Sequence, residues 1–313
     1  MKQRTFEDSH QQQWDTLEGW LDKRKNVAEF PQLYRQVCQH LALARDRHYT
    51  PHLIERLNRL VLRGHQHLYQ TQSRLFAKII NFIGVEFPQR VRQESLLVGL
   101  SSLLFFGSLL GMFISVQFNP NLVYSLMDSG RVLEMEAMYE PKLVGHNRDA
   151  ESDFFMFGFY IRNNISIGFQ TFAGGILFCV GTLFFLIFNG LYLGCVAGHL
   201  THIGYSVPFY SFVAGHSALE LMAIVLAGAA GLKLGLALIA PGRLCRLQAL
   251  RHAAAQSIFL IYGVIIMLLL AAFIEAFWSS NAAIAPEIKY TVGGLLWIIV
   301  IAYFILVGRR RAN

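Results

Sequence analysis

Few residues of this chain have the type and spacing to do chemistry, and most of them sit in apolar surroundings. His216 and Glu220, in "GHSALEL" (215–221), are four apart, so on a helix they share one face. The stretch behind them, up to Ala240, is apolar enough to lie in a bilayer. Ionisable groups are costly in hydrocarbon, and one found there is a candidate for function. Counted from a helix that starts near Pro208, Glu220 lies roughly 18 Å along the axis, near the middle of a hydrocarbon core about 30 Å thick. Three arrangements make the pair tolerable. His216 can donate to Glu220, a protonated Glu220 can bond to a neighbouring helix, or the pair can face water as a transport or protonation site. Asn163 and Asn164 are expected to open another apolar segment, with capping as their plain role. There they could supply the hydrogen bond that Glu220 needs.

His199 and His202 are three apart, again on one helix face. With His216 and Glu220 they are the ligand types of a zinc or other transition-metal site. No spacing sets the distance between the two helices, so no metal and no other cofactor is expected. There is no HExxH, and Ser217 beside His216 is not a nucleophile–base pair, because helix neighbours point apart. The chain is therefore not expected to be an enzyme. Lys233 is placed to snorkel toward a membrane surface, and Glu275 is expected to be interfacial.

These residues need elements to hold them, and composition says which kind. Of 313 residues 54% are hydrophobic and 15% charged, with mean hydropathy +0.40. A soluble domain carries about 25% charged residues, so this is the balance of a membrane protein. The polar N-terminus "MKQRTFEDSHQQQWD" lacks the apolar core of a cleaved signal peptide. Cys38, Cys179, Cys195 and Cys245 are scattered, which implies neither a disulfide framework nor a zinc knuckle. The net charge of +7 collects beside apolar segments, so it reads as a topology signal and no nucleic-acid partner is expected.

Residues 1–94 hold 15 Lys and Arg against 10 Asp and Glu, with apolar residues at helical spacing, as in Trp14, Leu17, Leu21 and Leu53, Leu57, Leu60. Pro31 and Pro51 fall where helices would begin. The expectation is a cytoplasmic domain of three helices, ending in an interfacial amphipathic helix, "RLFAKIINFIGVEFPQRVRQE". A transmembrane domain, residues 95–313, follows. Its first span is 95–116, flanked by Arg90 and Arg92, and its external loop 118–153 holds seven acidic residues against three basic ones. Further spans are expected at 163–188, 210–240, 254–278 and 290–308, with a turn at Asn189–Gly190. The short segment 191–207 crosses, or dips in as a half-helix. If it crosses, Arg243, Arg246, Arg251 and Arg309–Arg311 all face the cytoplasm, as the positive-inside bias prefers. The fold is then an all-α polytopic membrane protein of about six spans, multi-pass in a bacterial inner membrane with both termini cytoplasmic.

Gly190, Gly194 and Gly198 line one helix face, Gly228, Gly231 and Gly235 a second, and Gly107 and Gly111 a third. Smooth faces let helix backbones approach closely in a bilayer, within one chain or in a homo-oligomer. A Gly-rich broken helix can also line a substrate cavity.

The order of motifs is familiar. "RNN" (162–164), a helix with Gly174 and Gly175, "NGLYLG" (189–194), an isolated Pro208 and "GHSALEL" together resemble the stage II sporulation protein M (SpoIIM) family. "LYR" (33–35), "LALAR" (41–45) and "GHQHLY" (64–69) look like the helical extension of its longer members. Where members often carry Pro-His-Gly, this chain has Gly215-His216-Ser217, keeping the His and the Glu four residues on. The resemblance implies a scaffold that works with envelope partners. Relatives of the long form tend to be encoded beside MoxR-type AAA+ ATPases and von Willebrand factor A proteins, an association that is analogy. Two roles are thus in view. One is a membrane scaffold or assembly component whose protein partners bind residues 1–94. The other is a transporter or channel-like protein acting at His216 and Glu220.

Overall fold

The computed structural model describes residues 2–23, 27–140 and 150–309, and among them every regular element is helical. The chain divides into two compact units, residues 1–81 and 82–313. The first holds α1 (Gln3–Asp22), α2 (Phe30–Asp46) and α3 (Pro51–Asn81). Pro31 and Pro51 stand in the first turns of α2 and α3, where no intrahelical N–H bond is lost. Phe6, Trp14, Leu17, Val37, Leu57 and Leu60 from all three helices share one core. Trp14 Nε1 donates to His40 Nδ1 at 3.2 Å inside it, and the His10 ring stacks on His40 with centroids 4.0 Å apart. The C-terminal part of α3 is different: Leu75, Phe76, Ile79 and Ile80 are all exposed, an apolar stripe at helical spacing.

The second unit begins with a π turn (Phe82–Glu86) and α4 (Phe87–Gln93). The sequence boundary near residue 94 and the contact boundary at 81 differ by this collar, which packs on later helices. Gln89 Nε2 donates to Gly308 O at 2.7 Å, Arg92 to Phe304 O at 2.7 Å, and Tyr303 Oη to Ile83 O at 2.6 Å. The Phe87 ring fills the notch left by Gly263.

Six long helices follow: α5 (Ser95–Phe118), α7 (Ala150–Ala173), α8 (Val180–His202), α10 (Ser217–Ile239), α11 (Arg246–Ile274) and α12 (Pro286–Leu306). Two short ones intervene, α6 (Ser129–Tyr139) and α9 (Ser206–Ala214). All but α7 are long and apolar enough to cross a membrane, among the described residues. Arg162, Asn163 and Asn164 lower the hydropathy of α7, yet its 24 residues reach about 36 Å at the helical rise. Its start meets the end of α11 through Phe154 and Phe277, and its end meets α10 at Gly231. It therefore runs the depth of the bundle.

The expected span 163–188 is two helices. The chain turns back at 174–179, through a 3-10 turn (Gly174–Ile176) and two left-handed residues, Phe178 (φ 52°) and Cys179 (φ 69°). The turn stands at Gly174–Gly175 and not at Asn189–Gly190, which lie inside α8. There Asn189 Nδ2 bonds back to Phe185 O, and Gly190 faces α5. The segment 191–207 is thus mostly the second half of a full-length α8. An Asn-Gly pair signals a turn only where no neighbouring helix claims the glycine for packing. The expected external loop contains α6 and the first residues of α7. Its residues 141–149, and Arg310 and Arg311 at the end, lie outside the described residues.

Glycines set the close contacts. A Cβ on Gly190, Gly194 or Gly198 would meet Phe105 O, Leu109 O or Val116 Cβ on α5 at 2.2–3.0 Å. Gly228 receives Leu186, and Gly231 lies against Thr171 O and Thr182 Oγ1. The tightest point is Gly175, whose Cβ would come 1.9 Å from Gly231 O. Gly107 and Gly111 face open space, so the expected third packing face is unused within this chain.

Candidate functional site

A break between α9 and α10 builds the site. The α9 helix stops at Ala214, Gly215 takes helical angles, and His216 caps α10 with its backbone. A Cβ on Gly215 would strike the Trp278 ring at 2.4 Å, so only glycine lets the chain pass there. Glu220 consequently stands in the first turn of α10, not midway along a helix that starts at Pro208. The other wall is a π turn (Glu275–Ser279) that closes α11. The widened turn carries both Glu275 and Ser279 into the protein, and such turns recur at functional sites.

His216, Glu220 and Glu275 each offer one ligand atom, and these atoms lie within 4.8 Å of one another. His216 Nε2 and Glu220 Oε2 are 3.7 Å apart, an ion-pair distance too long for a hydrogen bond. His216 Nδ1 is 3.2 Å from Ser279 Oγ. The amine of Lys289, on α12, donates to Ser279 O at 2.8 Å. Trp297 Nε1 donates to Ser217 Oγ at 3.1 Å, and the Phe212 ring stands edge-on to His216. His216 and Glu275 are 4% and 8% exposed, and the Glu220 side chain 19%. Two carboxylates and an imidazole thus converge at the head of α10, with the Lys289 amine bound to the adjoining π turn. Such a set can share protons, pair charges or bind a cation.

The other residues singled out by sequence fall elsewhere. His199 is buried and pairs with Glu136 of α6 at 2.7 Å, while His202 is exposed, so the four-residue metal set does not assemble. Asn163 and Asn164 lie in the middle of α7 rather than at the start of a segment. Asn163 Nδ2 donates to Asn164 Oδ1 at 2.9 Å; among the described residues neither bonds Glu220. Asn164 is buried, and its own Nδ2 has no hydrogen-bond partner among the described residues. Lys233 forms an ion pair with Glu94, which ties α10 to the start of α5.

Glu275, Ser279 and Lys289 are the residues that sequence reasoning missed. Glu275 stands near a helix end, where interfacial placement is the default, and no local pattern announces a π turn. A signal was present all the same. Glu275 and Lys289 flank the short α11–α12 connection, so both are brought near the start of α10 once α11 and α12 pack beside it.

Family models match two stretches of the chain. Residues 4–70 match a domain of unknown function (DUF8413), which covers most of the first unit. No curated protein and no solved structure matches. Residues 101–280 match the model of stage II sporulation protein M, a stretch that contains His216, Glu220 and Glu275. With more than half its length under that model and its apolar helices in place, the chain is a multi-pass membrane protein of the SpoIIM family.

Proposed function

We propose that this protein is a membrane scaffold, an assembly component that holds partners at a bacterial inner membrane. One observation carries the reading: residues 1–81 form a compact unit with its own core. That unit offers a cleft of about 350 Å³ between α1 and α2. Gln12, Gln13, Gln32 and Gln36 line it, with Trp20 as an apolar wall. Amides beside an aromatic ring suit an extended peptide, whose backbone donors and acceptors they can match. The six long helices and the basic end formed by Arg90, Arg92, Arg243, Arg246 and Arg309 support cytoplasmic termini, with residues 1–81 on the cytoplasmic side.

The test replaces Gln32 and Gln36, one at a time, with a photocrosslinking residue in the full-length protein in its native membranes. Discrete crosslinked partners, with the native complex shrinking when residues 1–81 are deleted, are the expected result. A complex of unchanged size and composition after the deletion would refute the scaffold role.

The transport reading draws on a different observation, the three convergent ligand atoms of His216, Glu220 and Glu275. It requires a solute flux into liposomes that Glu220→Gln abolishes. Equal flux with and without the protein removes it.

A further inference from the structure

We propose that His216, Glu220 and Glu275 form a binding site for one divalent transition-metal ion of the zinc class. The donor set is one imidazole nitrogen and two carboxylates, which suits zinc and its neighbours. The three come from two elements that meet only in the folded protein, the head of α10 and the π turn that ends α11. In a tetrahedral site with bonds of about 2.0–2.2 Å, ligand atoms stand roughly 3.4 Å apart. The 3.7 Å between His216 Nε2 and Glu220 Oε2 lies close to that spacing, and all three atoms fall within 4.8 Å. The same gap is too wide for a direct hydrogen bond between the two residues.

The imidazole is set for the task. When Nδ1–H donates to Ser279 Oγ at 3.2 Å, Nε2 is left with its lone pair directed into the shared space. Metal-bound histidines generally have their other nitrogen tied in this way. Ser279 is held in turn, since its carbonyl accepts from the Lys289 amine. Three protein ligands leave a fourth position for water or for a group supplied by a partner.

The two carboxylates would also balance the charge of a divalent cation bound between them. A metal ion would also join the start of α10 to the end of α11, across the break at Gly215.

The experiment is a Co²⁺ titration of the full chain, purified in detergent with a histidine-free tag and stripped with a chelator. The proposal expects one Co²⁺ per chain and visible d–d bands of a low-coordinate N/O site. Zn²⁺ should displace them mole for mole. The bands should persist in His202→Gln and disappear in His216→Gln and Glu275→Gln, each variant checked for an unchanged elution volume. If the wild-type chain develops no bands with Co²⁺, the site belongs to a proton shared by Glu220 and Glu275, and the proposal fails without recourse to any variant. Bands that survive in folded His216→Gln and Glu275→Gln refute it equally. The outcome is independent of the scaffold reading, which rests on residues 1–81.

Discussion

Gly175→Ala tests whether backbone contact at the α7–α8 turn holds the membrane unit together. The added Cβ would stand 1.9 Å from Gly231 O and 2.6 Å from Gly231 C, both backbone atoms in the buried middle of α10. No side chain can swing aside to relieve the clash. Ordinary contact begins near 3.4 Å, so the turn must retreat by roughly 1.5 Å from a close-packed helix. Overpacking of this kind costs about 1–3 kcal/mol. The retreat also stretches the bond of 2.7 Å from Thr182 Oγ1 to Thr171 O, adding about 1 kcal/mol. The expected loss is therefore about 2–4 kcal/mol. Gly107→Ala is the matched control, because its Cβ meets nothing within 4 Å. That change should leave stability equal or raise it by up to about 1 kcal/mol through helix propensity. The assay is the midpoint of thermal unfolding in detergent, followed by size-exclusion recovery after heating. A Gly175→Ala protein with the midpoint of wild type would refute the argument, as would Gly107→Ala losing as much as Gly175→Ala.

Three other predictions concern separate parts of the chain. Burial, helped by the neighbouring His10, lowers the His40 pKa from 6.5 to about 4. A proton on its Nδ1 would also break the Trp14 bond. The unfolded chain thus takes up a proton that the folded unit refuses, so this stability is complete above pH 6.5 and declines as pH falls toward 4. The loss is on the order of 2–3 kcal/mol, and His40→Phe should flatten it. Hydrogen exchange of α1 and α2, corrected for intrinsic rate, measures it; protection that does not change between pH 7 and pH 4.5 would contradict the assignment. Cys245 is exposed between α10 and α11, and in a Cys38→Ser background an impermeant thiol reagent should reach it only in inside-out vesicles; labelling in right-side-out cells would reverse the topology. Phe87→Ala empties the notch at Gly263 and should cost about 3–5 kcal/mol, read from the same thermal midpoint; a cost under 1 kcal/mol would mean the notch collapses freely.

The sequence was most legible where a pattern repeats. Pro31 and Pro51 open α2 and α3, the leucines from 53 to 60 lie in the core of the first unit, and the apolar runs become long helices. It was least legible where tertiary contact decides between equal local choices. Gly174–Gly175 and Asn189–Gly190 are both turn-like pairs. The first is the turn because Gly231 and Gly181 receive its backbone, and the second is helix because α5 lies against Gly190. The pairing of His216 with Glu220 follows from helical spacing alone. Glu275 joins them through a π turn, and one extra residue per turn leaves no trace in hydrophobic periodicity.

The collar of residues 82–93 has a bearing on how the protein is made. Gln89 and Arg92 leave the ribosome long before their acceptors, Gly308 and Phe304, more than 210 positions later. While the intervening helices enter the bilayer one after another, the collar has no finished surface to grip. Insertion can therefore proceed in order, but closure cannot: α12, made much later, completes the joint that the collar prepares. A chain cut short before α12 would keep its crossings and still lack this latch. Closure of the membrane unit therefore waits for α12.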